Sequence, residues 1–328
     1  MDQAVLRVAS CPPKSGPDDS LLPLLFEPAY AGQSLVDAFD ALAPRIADVL
    51  PEVGGVLLRG FAVPDVERFR AFAAAFGDPL LSYEFGSTPR STVSAGIYTS
   101  TEYPAHQHIP LHNEQAYTRE WPMRIWFHCV TAAAEGGQTP IADSRAIYRQ
   151  MPDAIRERFA QGLIYVRNYG NGLDVPWQDV FNTEDPAAVE AYCAPRGITC
   201  EWKDDGELRT TQHCQGVARH PDTGDHVWFN QAHLFHVSNL APEVRESLED
   251  AVGVENLPRN VLYADGAPIP DADLDTVRRL LQEQTIVFDW RAGDVLMLDN
   301  MLAAHARTPF SGARKVVVAM ARSYAGSA

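Results

Sequence analysis

The chain has 328 residues, 46% of them hydrophobic and 21% charged, with a formal net charge of −16. That length can bury the core of one large domain or two small ones, and the negative balance disfavours nucleic acid and anionic membrane as partners. No apolar run reaches the length of a membrane span, and the start, Met1-Asp2-Gln3-Ala4-Val5-Leu6, lacks the basic lead and long apolar stretch of a signal peptide, so the cytoplasm is the expected compartment.

Residues 1–33 are rich in Pro and Gly and are expected to form an irregular arm, followed by a single domain over 34–328. Ser34 resembles an N-cap with Asp37 in the first turn, and Leu35, Val36, Phe39, Leu42, Ile46, Val49 and Leu50 then recur at helical spacing, with Pro44 as a kink. Residues 54–60 read as a buried strand, and 66–76 as an amphipathic helix ended near Gly77. The segments 84–93 and 97–104 are too polar for a core and too aromatic for a linker, which suggests strand and loop beside a pocket.

Further on, 123–131 is a strongly apolar strand, Gly136-Gly137 a turn, and 143–150 a helix. A strand at 163–169 precedes an insert of helix and loop around 170–210. The chain then runs through a short strand at 227–231, helices at 242–252 and 271–284, and late strands at 285–290, 294–298 and 316–320. Many strands with interspersed helices predict a mostly β core with α decoration. Gly-x-Gly-x-x-Gly, P-loop and Gly-x-Ser-x-Gly motifs do not occur, which removes the usual support for dinucleotide binding and serine hydrolysis. The five cysteines, Cys11, Cys129, Cys193, Cys200 and Cys214, form no Cys-x-x-Cys, so neither a disulfide framework nor structural zinc is expected.

The chemistry concentrates at Ile109-Pro110-Leu111-His112-Asn113-Glu114. On a strand, His112 and Glu114 would share a face and could grip one metal ion. With 10 histidines and 43 acidic residues in the chain, about one such pair is expected by chance. His220-Pro221-Asp222 is a decoy in what reads as a turn. A third ligand must come from elsewhere, and His305 is the candidate; two histidines and a carboxylate make the facial triad of non-heme Fe(II) oxygenases.

Taken in order, Pro110-Leu111-His112-Asn113-Glu114, Gly136-Gly137-Gln138-Thr139-Pro140, Asp299-Asn300 leading to His305, and Arg307 through Lys315 resemble the taurine dioxygenase (TauD/TfdA) family, over most of the chain. The resemblance implies a double-stranded β-helix, or jelly roll, and an oxygenase using Fe(II), 2-oxoglutarate and O2. It implies His112, Glu114 and His305 as metal ligands. It also implies an arginine after the second histidine, Arg314 with Lys315 and Arg322 as rivals, which anchors 2-oxoglutarate alongside the hydroxyl of Thr139. A guanidinium suits that bidentate task. The segments 86–90 and 98–104, Trp121-Pro122 and Trp228-Phe229-Asn230-Gln231 resemble the SyrP-like branch, which hydroxylates amino-acid units of specialised metabolites, often on a peptidyl carrier protein. That likeness suggests Arg90, Glu102, Asn230 and Gln231 as substrate contacts. The carboxylate is Glu114 where taurine dioxygenase has Asp, as in clavaminate-synthase-like members, and its presence argues for oxygen insertion over halogenation. Alternatives are desaturation or another oxidation at the same iron, a zinc-dependent hydrolase or lyase, and a non-catalytic β-barrel binding module.

Overall fold

The structure, a computed structural model, describes residues 7–10, 15–17, 20–82, 91–100, 103–170 and 172–326. Its frame is an eight-stranded sheet. Arg7–Ser10, Leu24–Glu27, Gly55–Leu58, Val295–Asp299, Glu120–Thr131, Lys315–Ala325, Ile97–Thr99 and Thr92–Ser94 lie side by side in that order. A three-stranded sheet of Ile109–His112, Ala303–Arg307 and Ile141–Asp143 carries the candidate histidines.

Strict alternation explains how the large sheet is buried on both faces. Trp126, Met297, Val317 and Ala319 point to one face and pack on Leu42 and Ile46 of the helix Phe39–Val53 and on Phe69 and Phe72 of Val66–Ala74. Their neighbours Phe127, Leu298, Val316 and Val318 point the other way and pack with Ile141 and Ala303 of the small sheet. The chain is thus mostly β with helices laid on the outer face of a jelly-roll core, and the candidate site lies on the inner face. Among the described residues no helix is long and apolar enough to cross a membrane.

Several expectations need correction. Leu24–Glu27 lies inside the stretch expected to be an arm, yet it pairs in parallel with Gly55–Leu58 and buries Leu25 and Phe26. Ser34 caps as expected, its Oγ accepting from the Asp37 N–H at 3.3 Å and its carbonyl from the Ala38 N–H, but 35–38 are a turn and the regular helix starts only at Phe39. Residues 285–290 form only single bridges at Ile286 and Val287, although Ile286 and Phe288 are buried. The insert holds the expected helices Trp177–Phe181 and Pro186–Cys193, but also an antiparallel pair, Ile198–Trp202 with Leu208–Cys214. That pair joins Leu163–Asn168 and Arg259–Tyr263 in a separate sheet. Ile198, Cys200 and Trp202 alternate with Thr199 and Glu201 and pack around Leu208, whereas Thr210 and Gln212 interrupt the apolar pattern on the partner strand.

Gly55 shows how tightly the frame is packed. A Cβ there would lie 2.6 Å from Leu298 Cδ2 and 2.9 Å from Leu22 Cδ1. Gly55→Ala should therefore cost about 1–3 kcal/mol of stability through overpacking, read as a lower urea midpoint with unchanged m-value; an unshifted midpoint would show that the sheet yields there.

Candidate metal centre

His112 ends its strand and stands directly opposite His305 on the antiparallel neighbour. The two rings are 4.4 Å apart between centroids. Between the pairs His305–His112 and Arg307–Ile109 the register slips, two steps on one strand against three on the other. Pro110, which has no N–H to give the ladder, lies in the slipped stretch. Its carbonyl accepts a 2.8 Å hydrogen bond from His112 Nδ1. That bond fixes the tautomer and leaves Nε2 as the nitrogen that can ligate a metal.

Glu114 is not on the strand. It sits in the turn that follows, so shared strand-face geometry is not what brings it to His112. The side chain of Asn300, fully buried, does that work: its Oδ1 accepts from the Glu114 N–H at 2.7 Å, and its Nδ2 donates to the carbonyls of Glu114 and Pro122. Asn113 reciprocates by donating to the Asn300 carbonyl at 2.7 Å and to Ser144 Oγ. The turn bearing Asn300 is itself held. Asp299 accepts from the N–H groups of Met301 and Leu302 and, through its other oxygen, bonds His220 Nε2 at 3.0 Å. His220 Nδ1 accepts from the Asp222 and Thr223 N–H groups, so the proton is on Nε2. The decoy histidine thus braces the turn that leads to His305 and lies outside the metal cluster.

As a result, one ligand atom each of His112, Glu114 and His305 lies within 4.8 Å of the others, with Glu114 Oε2 3.8 Å from His305 Nε2. Glu114 and His305 are buried, and Phe127 packs its ring 5.0 Å from that of His305. Two imidazole nitrogens and one carboxylate oxygen form the donor set of a facial triad, so the residues present fit a divalent ion such as ferrous iron.

Beside the histidines lies a narrow cavity lined by Ser100, Thr139, Arg307 and Arg314 together with His112, His305 and Phe127. As packed it has about 30 Å³, room for about one water. Thr139 Oγ1 accepts from the Trp290 indole at 3.0 Å, which leaves the hydroxyl proton as a donor. Arg314 donates to the Gly137 carbonyl at 2.9 Å and to Ser100 Oγ at 3.2 Å. Burial, then repulsion by Arg307, pushes Arg314 down to about 10. Arg307 is also buried, donates to the carbonyls of Tyr103, Pro104 and Gln107, and is lowered mainly by desolvation. Two guanidiniums therefore face a cavity without an aspartate or glutamate among its described lining residues, a setting that favours an anion. Lys315 is exposed, and Arg322 is paired with Asp222 at 2.8 Å, so neither rival enters the cavity.

The remaining suggested residues are not brought to these groups. Asn230 donates to the Gly216 carbonyl, and Gln231 donates to the Asn113 carbonyl; both are buried behind the ligand strand. Arg90 and Glu102 lie outside the described residues. Asn113, Asn300, Arg307 and Ser100 are four residues of this site that the sequence did not point to. Asn300 and Arg307 stand inside quoted motifs, but nothing in their type distinguishes a clamp or a second cation from a surface residue.

A profile described as "Taurine catabolism dioxygenase TauD, TfdA family" matches residues 20–321. The chain is 40% identical over 293 residues to the dapdiamide synthesis protein DdaC of Enterobacter agglomerans, covering 89% of each. It is 32% identical over 286 residues to a clavaminate synthase-like protein of Arabidopsis thaliana, covering 84% of this chain and 83% of that one. Among solved structures it is similar to PvcB of Pseudomonas aeruginosa, with a TM-score of 0.59 at 17% identity, covering 98% of this chain and 92% of that one.

Two outcomes follow. Asn300→Ala should weaken cobalt(II) binding at the triad by about 10–100-fold, measured by anaerobic titration; unchanged affinity would show that Glu114 holds its place without the clamp. His233, which braces the Leu111 carbonyl through Nε2, is pushed down to about 4 by burial. The unfolded chain therefore takes up the proton first: the contribution is complete above about pH 6.5 and is lost as the pH falls towards 4, by up to about 3 kcal/mol at 1.4 kcal/mol per pKa unit. Urea unfolding at pH 7.5 and pH 4.5 should show a smaller acid loss in His233→Gln; equal losses would contradict this.

Proposed function

The chain belongs to the TauD/TfdA family, and from that premise we propose that it oxidises, by hydroxylation, an amino acid or a unit derived from one, free or held on a carrier protein, in specialised metabolism. It is a non-heme Fe(II)- and 2-oxoglutarate-dependent dioxygenase. The observation that carries the residue assignment is the convergence of His112, Glu114 and His305 beside a cavity that offers Thr139 and two arginines and no described acid.

In this reading His112, through Nε2, Glu114 and His305 hold the iron, which, when bound with 2-oxoglutarate and O2, supplies oxidative decarboxylation of the keto acid coupled to oxidation of the substrate. Arg314 takes the distal carboxylate of 2-oxoglutarate in a charge-assisted pair, and the Thr139 hydroxyl donates to it. Arg307 keeps the field positive while holding the 103–107 segment through three of its carbonyls. Phe127 and Ile109 keep water away from the histidines. Identity to a dapdiamide synthesis protein supports specialised metabolism as the setting, and retention of Glu114 supports oxygen insertion.

Anaerobic protein given Fe(II) and 2-oxoglutarate should show a weak visible charge-transfer band, absent in Glu114→Ala. Arg314→Met should raise the 2-oxoglutarate concentration at half-saturation about thirtyfold, corresponding to about 2 kcal/mol for a lost charge-assisted pair. Folded protein without the band, or an Arg314→Met variant that saturates like the parent, would refute the respective assignment.

A further inference from the structure

A second and far larger cavity, of about 570 Å³, opens one residue past Glu114. Gln115 has φ +56, so the chain turns there, and the segment through Tyr117 to Trp121 runs along the cavity wall. The facing wall is the separate four-stranded sheet that Ile198–Trp202 and Leu208–Cys214 form with Leu163–Asn168 and Arg259–Tyr263. Tyr165 and Arg167 alternate onto one face of Leu163–Asn168, and their register partners Gln212 and Thr210 lie on the adjacent strand. A sheet face made to pack on a core would carry aliphatic residues. This one presents a tyrosine, an arginine, a threonine and a glutamine, all four to the cavity.

We propose that this wall selects a substrate bearing a carboxylate on an apolar or aromatic body about the size of a dipeptide; the proposal rests on the oxygenase reading above and names the substrate class for that site. Charge supports the carboxylate. In a chain of net charge −16, the ionisable side chains described in the lining are Arg119, Arg167 and Arg196 against Glu120, besides its tyrosines. Behind the wall, Asp174 is shared by Arg167 at 2.7 Å and Arg259 at 3.4 Å. Arg167 lies 4.5 Å over the Tyr169 ring and Arg196 3.7 Å over that of Tyr192. Stacking holds each guanidinium flat, and each has five donors, of which Arg167 gives two to Asp174 and Arg196 one to the Tyr192 carbonyl. Size supports the body. The volume falls within the range that takes drug-sized ligands and equals that of about nineteen waters at ~30 Å³ each, more than a free amino acid displaces. Tyr117, Phe181 and Phe235 supply the apolar surface.

The test measures calorimetric binding of N-acetyl-L-phenylalanine and of its amide to the full chain without metal, so that the iron site plays no part. The acid should bind saturably and at least tenfold more tightly than the amide. Arg167→Met and Arg196→Met should each weaken the acid at least fivefold and leave the amide unchanged. Should Arg167→Met fail to fold, the half-buried Arg196→Met carries the comparison, and Val180→Trp, which fills the cavity, should abolish binding of both probes. Glu114→Ala should bind the acid like the parent. Equal binding of acid and amide, no saturable binding of either, or arginine variants indistinguishable from the parent would each overturn the proposal. A missing charge-transfer band with acid selectivity intact would refute the iron reading alone; an intact band without acid selectivity would refute this proposal alone.

Discussion

The site depends on one buried amide. Asn300 joins two segments 186 residues apart in sequence, with three side-chain hydrogen bonds to backbone groups of Glu114 and Pro122. Side-chain bonds to backbone are insensitive to which way Glu114 or its neighbours rotate, so the clamp sets where the turn lies and leaves the carboxylate to be aimed by its own rotamer. Buried amides of this kind are stable only when every donor and acceptor is satisfied. Here the satisfaction extends through Asn113 to Ser144 and Gln231, and through Asp299 to His220. The facial arrangement is therefore the end of a polar network inside an otherwise apolar jelly roll.

That network explains what could be read from the chain and what could not. The central parts of the two long strands, 123–131 and 316–320, were legible because both faces are buried and their apolar runs are nearly continuous; their ends, out to Glu120 and Ala325, were not. His112, Glu114 and His305 were singled out because metal chemistry restricts residue type, and the structure brings the three together. The route that brings Glu114 in was misread, since His-x-Glu spacing suits a strand as well as a turn, and only the long-range bonds of Asn300 decide between them. The strand 208–214 was missed because two of its inward positions, Thr210 and Gln212, are polar, and its partner 198–202 offers only the short alternation of Ile198, Cys200 and Trp202. Thr210 and Gln212 face a cavity instead of a core, so the feature that hid the strands is the one that gives the wall its chemistry. Local pattern reports what a residue packs against only when it packs against protein.

The two cavities divide the electrostatic labour of an acidic molecule. Near the histidines, Arg314 and Arg307 are buried together without a described acid, an arrangement that costs stability until an anion enters. Beyond Glu114, the arginines of the larger cavity are partly balanced by Asp174 and stacked on tyrosines. The first is poised for one small compact anion, and the second is a broad surface with positive bias, so an excess of one ligand should compete weakly for the place of the other.

Pro110 carries a last consequence. Ile109–His112 is an outer strand of the three-stranded sheet, paired on one side only among the described residues. An outer strand with a regular row of N–H and C=O groups invites a neighbouring molecule to add its own backbone. Here one N–H is missing, the adjacent carbonyl is occupied by an imidazole, and the spacing is broken. The proline that orients a ligand also makes this margin of the sheet a poor template for self-association, and so protects the most functional strand of the molecule from aggregation.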